Sequence, residues 1–551
     1  MGTGLRDYKI SSLCCAGLLV VGTAFQWLWG DVDNHVLAYP WSLVLALFVS
    51  YVVILLQGAM HRRPQLSYLF GRPMGAALLA GLILMSIIMG LTNAHLQHSW
   101  PMVLLLAALA IVEGVAAVDD IAHLRHRPIG AMLSHLGTYL FLLAALCGNA
   151  DRERATVSAA LDVPSNMGVA ADGRSVHLPF TLDLKKFTVD AYPPKFCVYN
   201  TRSHLASDKT FSPTKDDSTG RIGQWQISVV SVLPDAMPDT LGGFQPMVHV
   251  GATPAARLRV ADSAGATVAE GWVCSGSFIF EPMLLAINDS LSVWMQPNEP
   301  QQYTSDLLLS ANGKDKSPVV LHASVNHPAR WGAWRIYQTG YDTERGKWSS
   351  YSVLECMRDP WSPLEQVGLW IMLAGGVMMV IGRNTSRRRY RLMPLACVFL
   401  ALLFAIFSLA RPQFMGRSLV PALRSVWFIP HVTAYMFAYS LVSLGLVVAI
   451  VQVARGKKYN LMLTGMGWGL LSMGMVMGAL WAKQAWGDYW TWDPKETWAA
   501  ATWAGYLVCL HLPAKTNRKL LLVGLVISFL LLQMTWYGLN FLPSAGGLHS
   551  Y

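Results

Sequence analysis

Residues 41–59 read Trp41-Ser-Leu-Val-Leu-Ala-Leu-Phe-Val-Ser-Tyr-Val-Val-Ile-Leu-Leu-Gln-Gly-Ala59, a run without a charged side chain, closed shortly after by His61-Arg62-Arg63. A helix rises about 1.5 Å per residue, so roughly 20 apolar residues cross the hydrocarbon core of a bilayer. The pattern recurs near 12–29, 74–92, 101–118, 130–148, 366–382, 392–410, 431–453, 460–481, 499–513 and 520–541. About eleven spans are therefore expected, which makes the chain a polytopic α-helical membrane protein. Composition agrees: of 551 residues, 53% are hydrophobic and 13% charged, too apolar for a soluble protein of this length. The first run, Leu13 to Trp29, lacks a cleavage site and reads as a retained helix.

The formal charge of +10 resolves into short basic clusters between the apolar runs. Arg6 with Lys9, His61 to Arg63, Arg125 to Arg127, Arg383 to Arg391, Arg455 to Lys458, and Lys515 to Lys519 fall on alternate loops. The positive-inside rule puts them in the cytoplasm with the N-terminus, and puts the other loops and the C-terminus outside a bacterial inner membrane. This distribution excludes nucleic acid as a partner and leaves membrane lipid. The loop bearing Arg411, Arg417 and Arg424 is basic yet falls outside, where its arginines suit an anionic ligand.

Between about 150 and 365 no apolar run reaches membrane length. Alternation such as Phe180-Thr-Leu182-Asp-Leu184, and β-rich runs such as Trp225 to Val232 separated by Gly, Pro, Asp and Asn, predict one external β-rich domain of antiparallel strands. The organisation expected is membrane helices over 1–149, the β-rich domain over 150–365, and membrane helices over 366–551. Eight cysteines contain no C-x-x-C pair; Cys147, Cys397 and Cys509 fall in apolar runs. Two of Cys197, Cys274 and Cys356 are able to pair, and the sequence does not choose between them.

The loop before the tenth expected span reads Trp486-Gly-Asp-Tyr-Trp490-Thr-Trp492-Asp493-Pro494-Lys495-Glu496-Thr497-Trp498, with Trp481 before it and Trp503 after it. An aromatic belt at the membrane surface accounts for any one tryptophan. It does not account for their density in one short, charged, Gly-containing loop. Asp493, followed by Pro494 and then Glu496, also reads as a helix N-cap with a capping box. A flat apolar macrocycle bearing two carboxylates needs an aromatic surface with cations nearby, and this loop supplies both.

This stretch resembles the tryptophan-rich heme-binding signature of the CcsA/CcmC group of cytochrome c maturation proteins. Leu178 to Val189, Val325-Asn-His-Pro328, Arg335-Ile-Tyr-Gln338 and Arg358-Asp-Pro360 resemble a second family, ResB (CcsB). Together they resemble a fused System II cytochrome c synthase, strongly after about 360 and more loosely before it. The five spans ahead of the β-rich region exceed what that family leads one to expect.

Heme iron is commonly held by axial histidine. His431 begins the eighth expected span and His549 lies in the C-terminal Gly546-Gly-Leu-His-Ser-Tyr551, both on the side of the tryptophan loop. The resemblance implies that they are axial ligands of an external heme and the residues closest to the chemistry. His135 and His511 lie inside apolar runs near cytoplasmic ends; ionisable groups there are costly and functional by default. The resemblance makes them ligands of an inner heme position. Read singly, each histidine also fits an interfacial or backbone-bonded residue. His35, His61, His95, His98, His123 and His126 read as solvated, His327 as a turn residue, and Glu113 as an unassigned partner.

The implied function is transport of heme b with reduced iron to the outer face, and its thioether attachment to a C-x-x-C-H apocytochrome c. That is a cytochrome c heme lyase, with His135, His511, His431, His549, Trp486, Trp490, Trp492, Asp493 and Trp498 as heme-binding residues. Thiol-reducing proteins are conceivable partners. The alternative is a heme exporter that hands its cargo to a separate ligase; a b-type electron-transfer cytochrome would not need the tryptophan loop.

Overall fold

A computed structural model describes residues 5–33, 35–92, 94–214, 217–312, 317–381, 418–457, 459–513 and 516–542. The span expected at 392–410, Cys397, Arg411, Arg417 and His549 lie outside the described residues. The long helices are α1 (Leu5–Trp29), α2 (Trp41–Arg62), α3 (Arg72–Thr92), α4 (Trp100–Ala122), α5 (Ile129–Gly148), α6 (Ser362–Ile381), α7 (Phe428–Ala454), α8 (Met462–Ala485), α9 (Pro494–His511) and α10 (Arg518–Trp536). Among the described residues, nine of these are long and apolar enough to cross a membrane. Helix α9, whose first turn carries Lys495 and Glu496, is the other. Most begin or end a few residues beyond the apolar run, because backbone hydrogen bonding continues into polar flanks.

The chain is a multi-pass membrane protein with a β-rich domain. It divides into two compact units. The first holds the described helices; the second holds Arg154–Met357 with residues 418–424.

Within the helical unit, α5 and α6 approach as closely as backbones allow. A Cβ on Gly137 would lie 2.6 Å from the Gly368 carbonyl, and one on Gly368 would lie 2.9 Å from the Gly137 carbonyl. Lipid tails are as apolar as leucine, so association inside a bilayer relies on close packing at small residues of this kind. Helix α9 packs on α3, and α8 on α6, so helices from both ends of the chain share one core.

In the β-rich unit, eight antiparallel strands form one sheet in the order Val319–Ser324, Pro300–Ala311, Ser175–Ala191, Ser165–Val169, Glu153–Ala160, Tyr351–Arg358, Trp334–Tyr341, Ala329–Trp331. Ser324 bridges His327 at the turn into the last strand, so the sheet nearly closes into a barrel. The alternation at 180–184 places Phe180, Leu182 and Leu184 in full burial, registered opposite Ala311, Leu309 and Leu307. Each such side chain contributes about 1.5–3 kcal/mol of hydrophobic stabilisation. Two smaller sheets, of five and four strands, complete the unit.

The residues of the upstream sequence motifs are mostly structural. Asn326, at φ +65°, donates from Nδ2 to the Pro421 and Ala422 carbonyls at 3.0 and 3.1 Å. Gln338 accepts from Ser305 Oγ at 2.6 Å in the core. Cys197, Cys274 and Cys356 are buried free thiols on three separate strands, so the pairing left open by the sequence is not made. Burial pushes the Cys356 thiol up to about 12.

Candidate functional site

His135, one and a half turns into α5, and His511, the last residue of α9, bring their rings together with centres 6.5 Å apart. Two imidazoles sharing one metal ion through nitrogen bonds of about 2 Å have centres roughly 6 Å apart. The end of α9 is held in place by residues that sequence reasoning missed. Arg72 donates to the Leu510 and His511 carbonyls at 2.7 and 2.8 Å, and Tyr8 Oη donates to the His511 carbonyl at 2.6 Å. A helix leaves its last carbonyls without intrahelical partners, and cations there also complement its dipole.

Each of the three candidate ligand histidines among the described residues commits Nδ1 to an oxygen. His511 donates to the Leu507 carbonyl at 2.9 Å, His431 to the Gly474 carbonyl at 2.9 Å, and His135 to Asp120 Oδ2 at 2.8 Å. A carbonyl oxygen only accepts, so Nδ1 carries the proton and Nε2 keeps the lone pair. That tautomer is the one a metal-binding imidazole needs when a second partner orients it.

His431, in the first turn of α7, sits over a seat cut in α8. A Cβ on Gly478 would fall 2.8 Å from its Cε1. Its ring lies 6.0 Å from Trp481 and 4.8 Å, edge-on, from Tyr435; Trp481 continues to Trp486 at 5.8 Å. Beneath it, Tyr435, Tyr439, Met475, Thr502 and Trp503 line a small cavity.

The tryptophan loop splits into two kinds of residue. Trp490 and Trp492 are half-buried and set edge to face at 5.8 Å. Trp492 has φ +59°, a conformation that costs a non-glycine residue about 1–3 kcal/mol and collects at functional sites. Among the described residues, the buried indole N–H of Trp490 has no hydrogen-bond partner. Trp498 is different. It is 3% exposed and packs with Ala501, Leu531 and Leu539, while Gly90 of α3 leaves room for its ring. Trp503 is also internal, donating to Ser472 Oγ at 2.8 Å.

Asp493 caps α9 as the Pro494 signal predicts, accepting the Glu496 N–H at 2.8 Å. Glu496 Oε2 in turn accepts the Thr491 N–H at 2.7 Å. The carboxylate thereby braces the turn that carries Trp490 and Trp492.

Below that loop lies a buried ion cluster that sequence reasoning did not find. Asp359 accepts from Lys483 Nζ at 2.7 Å, and Arg152 reaches Asp359 and Glu365 at 3.3 Å and Asp488 at 3.2 Å. Burial alone raises the Asp359 carboxyl, but Arg152 and Lys483 beside it hold it below the usual value. Lys483 also lies 4.8 Å over the Tyr489 ring, and the Tyr489 hydroxyl is 3.2 Å from Ser362 Oγ. Asp359 belongs to the Arg358-Asp-Pro360 motif, the only signal that pointed here.

Residues 361–546 match the cytochrome C assembly protein family. The cytochrome c biogenesis protein CcsA of Porphyra purpurea is 30% identical over 243 residues, covering 33% of this chain and 75% of that protein. The CcsA of Prochlorococcus marinus (strain MIT 9312) is 31% identical over 227 residues, 32% of this chain and 72% of that one. Against the CcsA of Chlamydomonas reinhardtii, 33% identical over 174 residues, the match takes 28% of this chain and spans about half of the relative, 49%. Through the segment that carries His431, the tryptophan loop and His511, the chain belongs to the CcsA family of cytochrome c biogenesis proteins.

Proposed function

We propose that this protein carries heme b across a bacterial inner membrane and attaches it, on the outer face, to a C-x-x-C-H apocytochrome c. The observation that carries the reading is the His135–His511 pair, 6.5 Å between ring centres, with Nδ1 of each ring already bonded and Nε2 left to coordinate. The upstream half is read as ResB-like, making the chain a fused synthase. Loop charges set α5 and α9 so that this pair lies near the cytoplasmic face and His431 with the tryptophan loop near the outer one.

His135 and His511 receive heme from the cytoplasm. His431 and His549 hold it outside, where Trp486, Trp490 and Trp492 cover it, Asp493 caps the helix behind the loop, and Trp498 anchors the loop to the core. Each cysteine thiol adds S–H across one vinyl C=C of the heme, giving a thioether without consuming oxidant or reductant. Ferrous iron is required because ferric iron oxidises thiols. The protein contributes positioning, holding vinyl carbons and thiols together until the substrate's own histidine replaces one axial ligand.

Co-expression with an apocytochrome in cells lacking other maturation genes, followed by a denaturing gel stained for covalent heme, tests the reading. A heme-stained cytochrome band is expected. A protein that fills with heme and yields no such band, unless a separate ligase is added, would instead be an exporter.

A further inference from the structure

We propose that Asp120 is the positioning residue of the inner heme site, its carboxylate fixing the tautomer and aim of His135 and strengthening Nε2 as an iron ligand. This inference rests on the proposed function above.

Asp120 is in the last turn of α4 and 6% exposed. A carboxylate there faces the negative end of the helix dipole and loses most of its hydration, two costs that an ordinary structural residue has no reason to bear. Its two oxygens are shared. Oδ2 takes the Nδ1–H of His135 at 2.8 Å, and Oδ1 lies 3.4 Å from Arg127 Nε. Arg127 is itself held by Asp119 at 2.8 Å. Arg127 thus reaches only the oxygen that does not face the imidazole, and its closer partner is Asp119.

The two rings of the pair are therefore unequal. His511 donates to a neutral carbonyl of its own helix, whereas His135 donates to an anion. Donation to a carboxylate raises the basicity of the distal nitrogen, and loss of such a partner typically weakens metal binding about 10–100-fold. His135 is then the stronger ligand, and His511 the one more readily exchanged when heme moves on.

The test uses the full-length protein purified in detergent from heme-replete cells, in a His431→Gly background so that the inner position dominates. Heme per protein and the midpoint potential of the bound heme are measured for Asp120→Ala, Asp120→Asn, Arg127→Gln and His135→Gly. Asp120→Ala is expected to weaken heme binding about 10–100-fold, read as lower heme per protein. Asp120→Asn keeps an acceptor of the same shape but loses the charge, so heme stays and its potential moves positive, and this arm decides if the alanine variant fails to fold. Arg127→Gln retains heme. If His135→Gly empties the site while Asp120→Asn leaves the potential unchanged, or if Arg127→Gln loses heme as Asp120→Ala does, the role of Asp120 is wrong and the heme site stands. If His135→Gly keeps full heme, the proposed function itself fails.

Discussion

The imidazoles of His135 and His511 lie 6.5 Å apart, centre to centre and edge-on, although one belongs to the helices before the β-rich domain and the other to those after it. The pair exists because α9 packs on α3 while Arg72 and Tyr8 hold its last carbonyls. Arg72→Ala should therefore loosen the end of α9 and lower heme content without touching either ring. Heme per protein in the purified variant checks this, and unchanged heme would detach the cap from the site.

The proposed sidedness rests on the basic loops. A reporter active only outside the cytoplasm should work when fused after Tyr489 or within 200–350, and fail after Lys458. Activity after Lys458 would invert the assignment of inner and outer histidines.

The tryptophans divide by burial. Trp498→Ala removes a core ring and should cost about 3–5 kcal/mol of stability, seen as a lower unfolding temperature or lost expression. Trp490→Ala and Trp492→Ala should leave folding nearly intact and deplete heme. Gly478→Val should act as those two do, because its side chain meets His431 at 2.8 Å and displaces the ring. Equal thermal stability of the Trp498 and Trp490 variants would contradict the division.

The ion cluster should make stability depend on acid. Asp359 is held below its ordinary value in the folded protein. Its contribution is thus complete above a pH of about 4, where the unfolded carboxyl ionises, and is lost as pH falls through the lower folded value. Asp359→Asn strands Lys483, which is 4% exposed. Removing one partner of a buried pair costs about 3–5 kcal/mol. The variant should melt lower at pH 7 and lose less stability between pH 5 and 3 than the parent protein. Parallel melting curves across that range would remove Asp359 from the account.

What the sequence disclosed was local or periodic. Apolar runs mark the membrane helices because a bilayer demands a fixed length of them, and alternation at 180–184 marks a strand because one sheet face is buried. Asp493-Pro494 announced the start of α9 through cap chemistry alone. Asp120, Arg72 and Lys483 stayed invisible because their partners come from other segments of the chain and no spacing rule connects them. Trp498 looked like its neighbours because a motif does not show that helix packing turns this residue, in the second turn of α9, inward.

Heme per protein and covalent cytochrome yield in four single variants, His135→Gly, His511→Gly, His431→Gly and His549→Gly, each with and without added imidazole, test the central claim most directly. The inner variants should lose heme throughout, since the first binding step is gone. The outer ones should keep inner heme yet fail to ligate it, with imidazole restoring ligation more readily there than at the buried pair. Inner variants with full heme and full ligation, beside outer variants that lose both, would contradict entry at His135 and His511 and return those residues to a structural role.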